Sequence, residues 1–104
     1  MKCQKCKRDF SNVIWEKGKT YEGLDEHHNP PKFMIEKWNG KTYYLCRKHH
    51  RELHDEIIKI LNKFTKSSVF VKSERWTWIK IIPKDRLKVT KEVCNFTERW
   101  INDT

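Results

Sequence analysis

Two short spacings constrain this chain more than any other feature: Cys3-Gln4-Lys5-Cys6 near its start and Cys46-Arg47-Lys48-His49 near its middle. Each places two metal-binding side chains on one tight turn, and two such turns supply the four ligands that a tetrahedral zinc ion takes. Zinc is therefore expected as a structural ion on Cys3, Cys6, Cys46 and His49. A shared ion pins together two points separated by 39 residues, so a hairpin must fold between them. Dithiol redox chemistry is the other reading of Cys-x-x-Cys, but it belongs to a βαβ setting that this sequence lacks. A further alternative leaves His49 as an ordinary surface histidine. Cys94 has no partner at knuckle spacing and reads as a buried apolar residue.

A staple of this kind answers a need set by size. The chain has 104 residues, 37% of them apolar and 36% charged, which fits one domain with a modest core. It opens Met1-Lys2-Cys3 without an apolar leader, and no apolar run approaches the ~20 residues needed to span a bilayer. A cytoplasmic, reducing setting is expected, where close cysteines bind metal rather than form disulfides. The net charge is +9 and unevenly spread. From Lys59 to Lys91 ten Lys or Arg stand against Glu74 and Asp85, a net of +8. Such a block suits a polyanion such as DNA, RNA or an anionic membrane, or else serves as a solvated face that keeps the protein soluble.

Three stretches follow along the chain. Residues 1–24 hold the first knuckle, a polar loop and a short strand at Val13-Ile14-Trp15. In residues 25–66, Leu24 to His28 reads as a strand, and Pro30-Pro31 forbids a helix after it. Asn39-Gly40 signals a tight turn, and Thr42-Tyr43-Tyr44-Leu45 a second strand. After Cys46 the period changes: Leu53, Ile57, Ile60, Leu61 and Phe64 recur at helical spacing over about four turns. Ser67-Ser68 ends that helix. In residues 67–104, Arg75 to Ile82 fits a buried helix or a strand equally well. Pro83-Lys84-Asp85 is a turn, and Thr90 caps a last helix with Val93, Phe96, Trp100 and Ile101 inward. No chemistry is expected of this third stretch beyond packing and charge.

The histidines form a second constellation. His50 and His54 lie four apart on the predicted helix, hence on one face, where they can bind a single ion. They also lie on its apolar stripe, so the competing reading is a pair of satisfied core histidines. A His27-His28 dipeptide upstream and knuckles on both flanks favour the ion.

The string His27-His28-Asn29-Pro30, followed by Leu45-Cys46-Arg47-Lys48-His49-His50-Arg51-Glu52-Leu53-His54, resembles the HNH (His-Me finger) endonucleases over roughly residues 3–54. The resemblance implies an α+β fold: a small zinc-stapled ββα-metal, treble-clef-like core over 1–66, with a basic, Trp-rich extension over 67–104 packed on it as one domain. It implies that His28 is the general base and that His27, His50 and His54 hold a catalytic divalent ion such as Mg²⁺, Mn²⁺, Ni²⁺ or Zn²⁺. Cys46 and His49 fall on the family's second zinc pair, with histidine in place of the commoner cysteine. The family's central Asn falls on Lys41, and Asn39, two residues away, is the candidate to replace it in orienting the base.

The function so implied is metal-dependent hydrolysis of phosphodiester bonds in DNA. An imidazole titrating near neutrality is a workable base, and a divalent ion can neutralise the developing oxyanion. Lys41, Arg47, Lys48 and Arg51 are expected to grip flanking phosphates, a salt-dependent and largely sequence-independent contact. No membrane partner is expected. The alternative is a catalytically inactive treble-clef zinc domain that binds nucleic acid, which Lys41 at the Asn position favours. A protein-interaction zinc domain is a third possibility, and it has no use for His28.

Overall fold

The computed structural model describes residues 2–7, 24–65 and 71–103. Among them are two strands, β1 (Leu24–Asn29) and β2 (Lys41–Cys46), and three helices, α1 (Arg47–Lys63), α2 (Glu74–Lys80) and α3 (Arg86–Asn102). Short 3-10 turns lie at Lys32–Met34 and Pro83–Asp85. The fold is a small α+β unit. β1 and β2 pair antiparallel in one continuous register, from Leu24 opposite Cys46 to Asn29 opposite Lys41. α1 leaves β2 without a linker, so Cys46 is at once the last strand residue and the N-cap of the helix.

Both strands run one residue past their expected ends. The connection differs more. Asn39-Gly40 is not a two-residue hairpin turn, because residues 30–40 intervene between the strands and 38–40 carry no turn. Gly40 is needed for another reason: a Cβ there would collide with the Asn29 carbonyl and come within 3.0 Å of Pro30 Cδ. Trp38 fixes the loop from within, its Nε1 donating to the Pro30 carbonyl at 2.6 Å.

The apolar stripe of α1 does what its spacing implies. Leu53, Ile57 and Leu61 are fully buried, with Ile58 and Ile60 nearly so, in one core with Leu24 and Leu45 of the sheet, Ile81 at the end of α2, and Val89, Val93 and Ile101 of α3. Each side chain of this kind removed from water contributes roughly 1.5–3 kcal/mol. Phe64, Phe96 and Trp100 pack at the margin rather than in the centre.

The ambiguous Arg75–Ile82 run is helical over Glu74–Lys80. Ser73 caps it, accepting from Trp76 N at 3.5 Å, and it buries only Thr77 and Trp78 while Trp76 and Ile79 stay exposed. One buried face on a seven-residue element is what a short surface helix can offer. α3 begins at Arg86, directly after the Pro83–Asp85 turn. Thr90 is therefore not its cap: it lies one turn inside, its Oγ1 donating to the Arg86 carbonyl at 2.8 Å. Asn62 of α1 clamps the approach to α2, donating to the Val71 carbonyl at 3.0 Å and accepting from Val71 N at 3.3 Å. The strand expected at Val13-Ile14-Trp15 lies outside the described residues, as do Ser67-Ser68, but α1 ends before them, at Lys63 with Phe64 as its C-cap. No helix among the described residues is long and apolar enough to cross a membrane.

Candidate metal centres

The first cluster is assembled by Gln4. Its backbone N–H donates to the Tyr44 carbonyl at 2.8 Å, and its side-chain Oε1 accepts from Tyr44 N at 2.7 Å. This two-point strap lays the Cys3–Cys6 turn along β2, two residues before Cys46. The turn closes with Lys7 N donating to the Cys3 carbonyl at 2.9 Å, which puts Lys7 in the left-handed region, φ 65°. Cys3, Cys6, Cys46 and His49 then present three sulfurs and one ring nitrogen, all within 4.8 Å of one another. His49 Nδ1 lies 2.9 Å from the Cys46 sulfur and 4.0 Å from that of Cys3. A tetrahedral zinc site with bonds of about 2.0–2.3 Å spaces its ligands by about 3.5–3.8 Å, so only small adjustments separate this cluster from one. Burial opposes ionisation of Cys3, but backbone N–H groups of Cys6, Cys46 and Lys5 outweigh it and lower its pKa. Cys46 is pushed up to about 11 by burial and by the neighbouring Cys3 and Cys6. Sulfurs crowded this closely cannot all ionise unaided, and a bound cation removes the conflict. Cys94 lies apart, half-buried on α3.

α3 closes over this cluster. Lys5 Nζ lies 4.6 Å from the Trp100 ring centre and donates to the carbonyls of Trp100 and Asp103, the latter at 2.6 Å. It thereby satisfies orphan acceptors at the helix C-terminus. Trp100 in turn meets His49 edge-on, with centroids 6.1 Å apart.

The second cluster is His27, His50 and His54, with one ring nitrogen of each within 4.8 Å of the others. Neighbouring helix positions point about 100° apart, so His49 faces the sulfurs while His50 faces His54. His50 Nδ1 meets Asp25 Oδ2 at 3.2 Å and His54 Nδ1 meets Glu74 Oε1 at 2.6 Å. A carboxylate only accepts, so each Nδ1 carries its hydrogen and each ring turns its Nε2 inward. Those two Nε2 atoms stand 2.9 Å apart, a repulsive arrangement unless a proton or a cation lies between them. His27 is 1% exposed, and neither of its ring nitrogens finds a hydrogen-bond partner among the described residues. Burial, followed by the neighbouring His54, His50 and His28, pushes its pKa down to about 3, so it is a neutral ligand-type imidazole. Three imidazoles with converging ring nitrogens, two of them backed by carboxylates, form a donor set suited to a first-row transition metal.

His28 sits on the opposite side of β1 from His27, as strand alternation requires. It is half-buried, edge-on to Trp38 at 5.1 Å, with Nε2 4.0 Å from Glu26 Oε2. Burial and Lys32 lower its pKa, while Glu26 opposes them. A cleft of about 230 Å³ brings His28 together with His50, His54, Glu26, Lys32 and Arg75. Asn39 is exposed and makes no hydrogen bond among the described residues. Lys41 is exposed, 4.0 Å from Glu98. Arg47, Lys48 and Arg51 are exposed on the first turns of α1. Across the ladder from Lys41, Asn29 is buried and donates to the Cys94 carbonyl at 3.3 Å, tying the sheet end to α3.

Four residues here escaped the sequence reading. Asp25 had a signal, lying two positions before His27 on one strand and so on the same face. Lys32, Glu74 and Arg75 had none; the last two come from the third stretch, Glu74 meeting His54 and Arg75 lining the cleft.

The fold is a small α+β unit that, among the described residues, brings together one Cys/His group and one all-His group that could each hold a metal ion, such as zinc in the first. No protein-family model, no curated protein and no solved structure matches the chain.

Proposed function

We propose that this protein is a metal-dependent endonuclease of the HNH type that hydrolyses phosphodiester bonds in DNA, in the cytoplasm. The observation that carries the reading is the meeting of His27, His50 and His54 beside a cleft that also holds His28. Cys3, Cys6, Cys46 and His49 hold a structural zinc that staples the hairpin to α1. A divalent ion on His27, His50 and His54 supplies charge stabilisation to the scissile phosphate and its leaving oxygen. His28, kept neutral at physiological pH, accepts the proton of the attacking water. Arg75 and Lys32, on the same cleft, donate to the non-bridging phosphate oxygens. Arg47, Lys48, Arg51 and the basic surface of α2 and α3 hold the flanking backbone.

The test is a plasmid incubated with wild type or His28→Ala in the presence of Mg²⁺, Mn²⁺, Ni²⁺ or Zn²⁺. Nicking by wild type and a loss of at least about 100-fold in the variant are expected. Equal nicking by both, or none with any ion, overturns the enzyme. A second reading, a zinc domain that binds nucleic acid without cutting it, draws on the absence of an orienting hydrogen bond to His28 among the described residues. It expects salt-sensitive DNA binding without cleavage.

A further inference from the structure

We propose that Glu74 is a positioning residue for the second metal centre, so that α2 completes a site whose ligands all lie on β1 and α1. The proposal rests on His27, His50 and His54 being a metal site and is independent of nuclease activity. Glu74 is the first residue of α2, twenty positions beyond its partner, and only the packing of α2 on α1 brings the two together. That packing is well anchored. Asn62 pairs with the Val71 backbone through both its amide atoms, and Ser73 O accepts from Thr77 N at 3.0 Å and from Thr77 Oγ1 at 2.9 Å. Thr77 is 0% exposed. Glu74 is thus delivered to His54 by a fixed element, not by a mobile side chain reaching across the surface.

The contact does two things. At 2.6 Å from Nδ1 it holds the His54 hydrogen on that nitrogen and leaves Nε2 free to face the centre. It also sets the charge. Asp25 and Glu74 each back a histidine of the cluster, and two carboxylates so placed favour a bound cation. Glu74 Oε2 is buried with no hydrogen-bond partner among the described residues, so His54 is the partner this carboxylate has there. Metal binding and the docking of α2 are consequently linked: an ion that gains from Glu74 also stabilises α2 on α1.

The test uses the full chain with zinc already bound at the cysteine cluster. Ni²⁺ is titrated into wild type, Glu74→Gln and Glu74→Ala by calorimetry, and thermal unfolding is followed with and without Ni²⁺. Wild type is expected to take up one further ion. Glu74→Gln keeps the shape but not the charge and should bind Ni²⁺ roughly 10–100-fold more weakly. Without Ni²⁺ its unfolding midpoint should match or exceed that of wild type, and the upward shift on adding Ni²⁺ should shrink. A merely structural glutamate would lower the midpoint equally with and without Ni²⁺ and leave the affinity unchanged. That outcome, equal Ni²⁺ affinity in Glu74→Gln, or no second ion in wild type overturns the proposal. If Glu74→Gln weakens Ni²⁺ binding while wild type cuts no DNA, the nuclease reading falls and this one stands.

Discussion

Lys7 and Gly40 show how tightly single residues are held around the two clusters. Lys7 has φ 65°, a conformation that costs a non-glycine residue about 1 kcal/mol or more, because its N–H must reach back to Cys3. Lys7→Gly should therefore stabilise the protein by roughly 0.5–1 kcal/mol, read as a higher denaturant midpoint, even though it gives up the exposed Lys7–Gln4 hydrogen bond. Gly40 is the reverse case. Its backbone packs against the Asn29 carbonyl, and Gly40→Ala forces the end of the hairpin apart. A loss of about 1–3 kcal/mol is expected by chemical denaturation.

Among the elements, α1 serves both clusters, with His49 on one side and His50 and His54 on another. The first knuckle has no regular element of its own and depends on Gln4, which grips Tyr44 of β2 at two points. Gln4→Ala removes the side-chain half of that grip and leaves Tyr44 N to find another acceptor. A loss of about 1 kcal/mol is expected, appearing as roughly fivefold weaker zinc in competition with a chromophoric chelator. Arg86 illustrates a different use of charge. The sequence counts it in the basic block, but it packs with its guanidinium carbon 5.3 Å from the Trp78 ring centre and points to the Ile79 carbonyl, so it supports the α2–α3 corner.

For the whole molecule, the core of α1, the sheet and α3 is small, and the cysteine cluster joins the N-terminal turn to the middle of the chain. Zinc removal by a strong chelator should therefore unfold the protein or lower its midpoint sharply, followed by circular dichroism. Cys3→Ser/Cys6→Ser should behave like the chelated wild type. Acid should act in the same direction through His27. Its folded pKa is near 3, below the ordinary value of about 6.5, so the unfolded chain binds more protons between those limits. The stability is present above about pH 6.5 and is lost as pH falls toward 3, by at most about 1.4 kcal/mol per unit. Urea midpoints at pH 7.5 and 5.5 measure it, and His27→Leu should show a shallower slope.

Local chemistry made much of this legible in the residues alone. The i to i+3 and i to i+4 spacings of Cys3, Cys6, Cys46, His49, His50 and His54 determine which donors share a turn or a helix face, and backbone geometry leaves little choice there. The same holds for the β1–β2–α1 order and the Leu53–Leu61 stripe. Folding in three dimensions decided what no spacing encodes. Asn39, on the loop of residues 30–40, is turned to solvent. Thr90 looked like a cap until α3 began a turn earlier. Glu74 meets His54, and Arg75 lines the same cleft, through the packing of α2 on α1, whose approach Asn62 clamps. The two knuckles that dominate the sequence bring together, by their own turns, side chains that could hold an ion, whereas the environment of the second cluster comes from residues far apart in the chain, joined by packing.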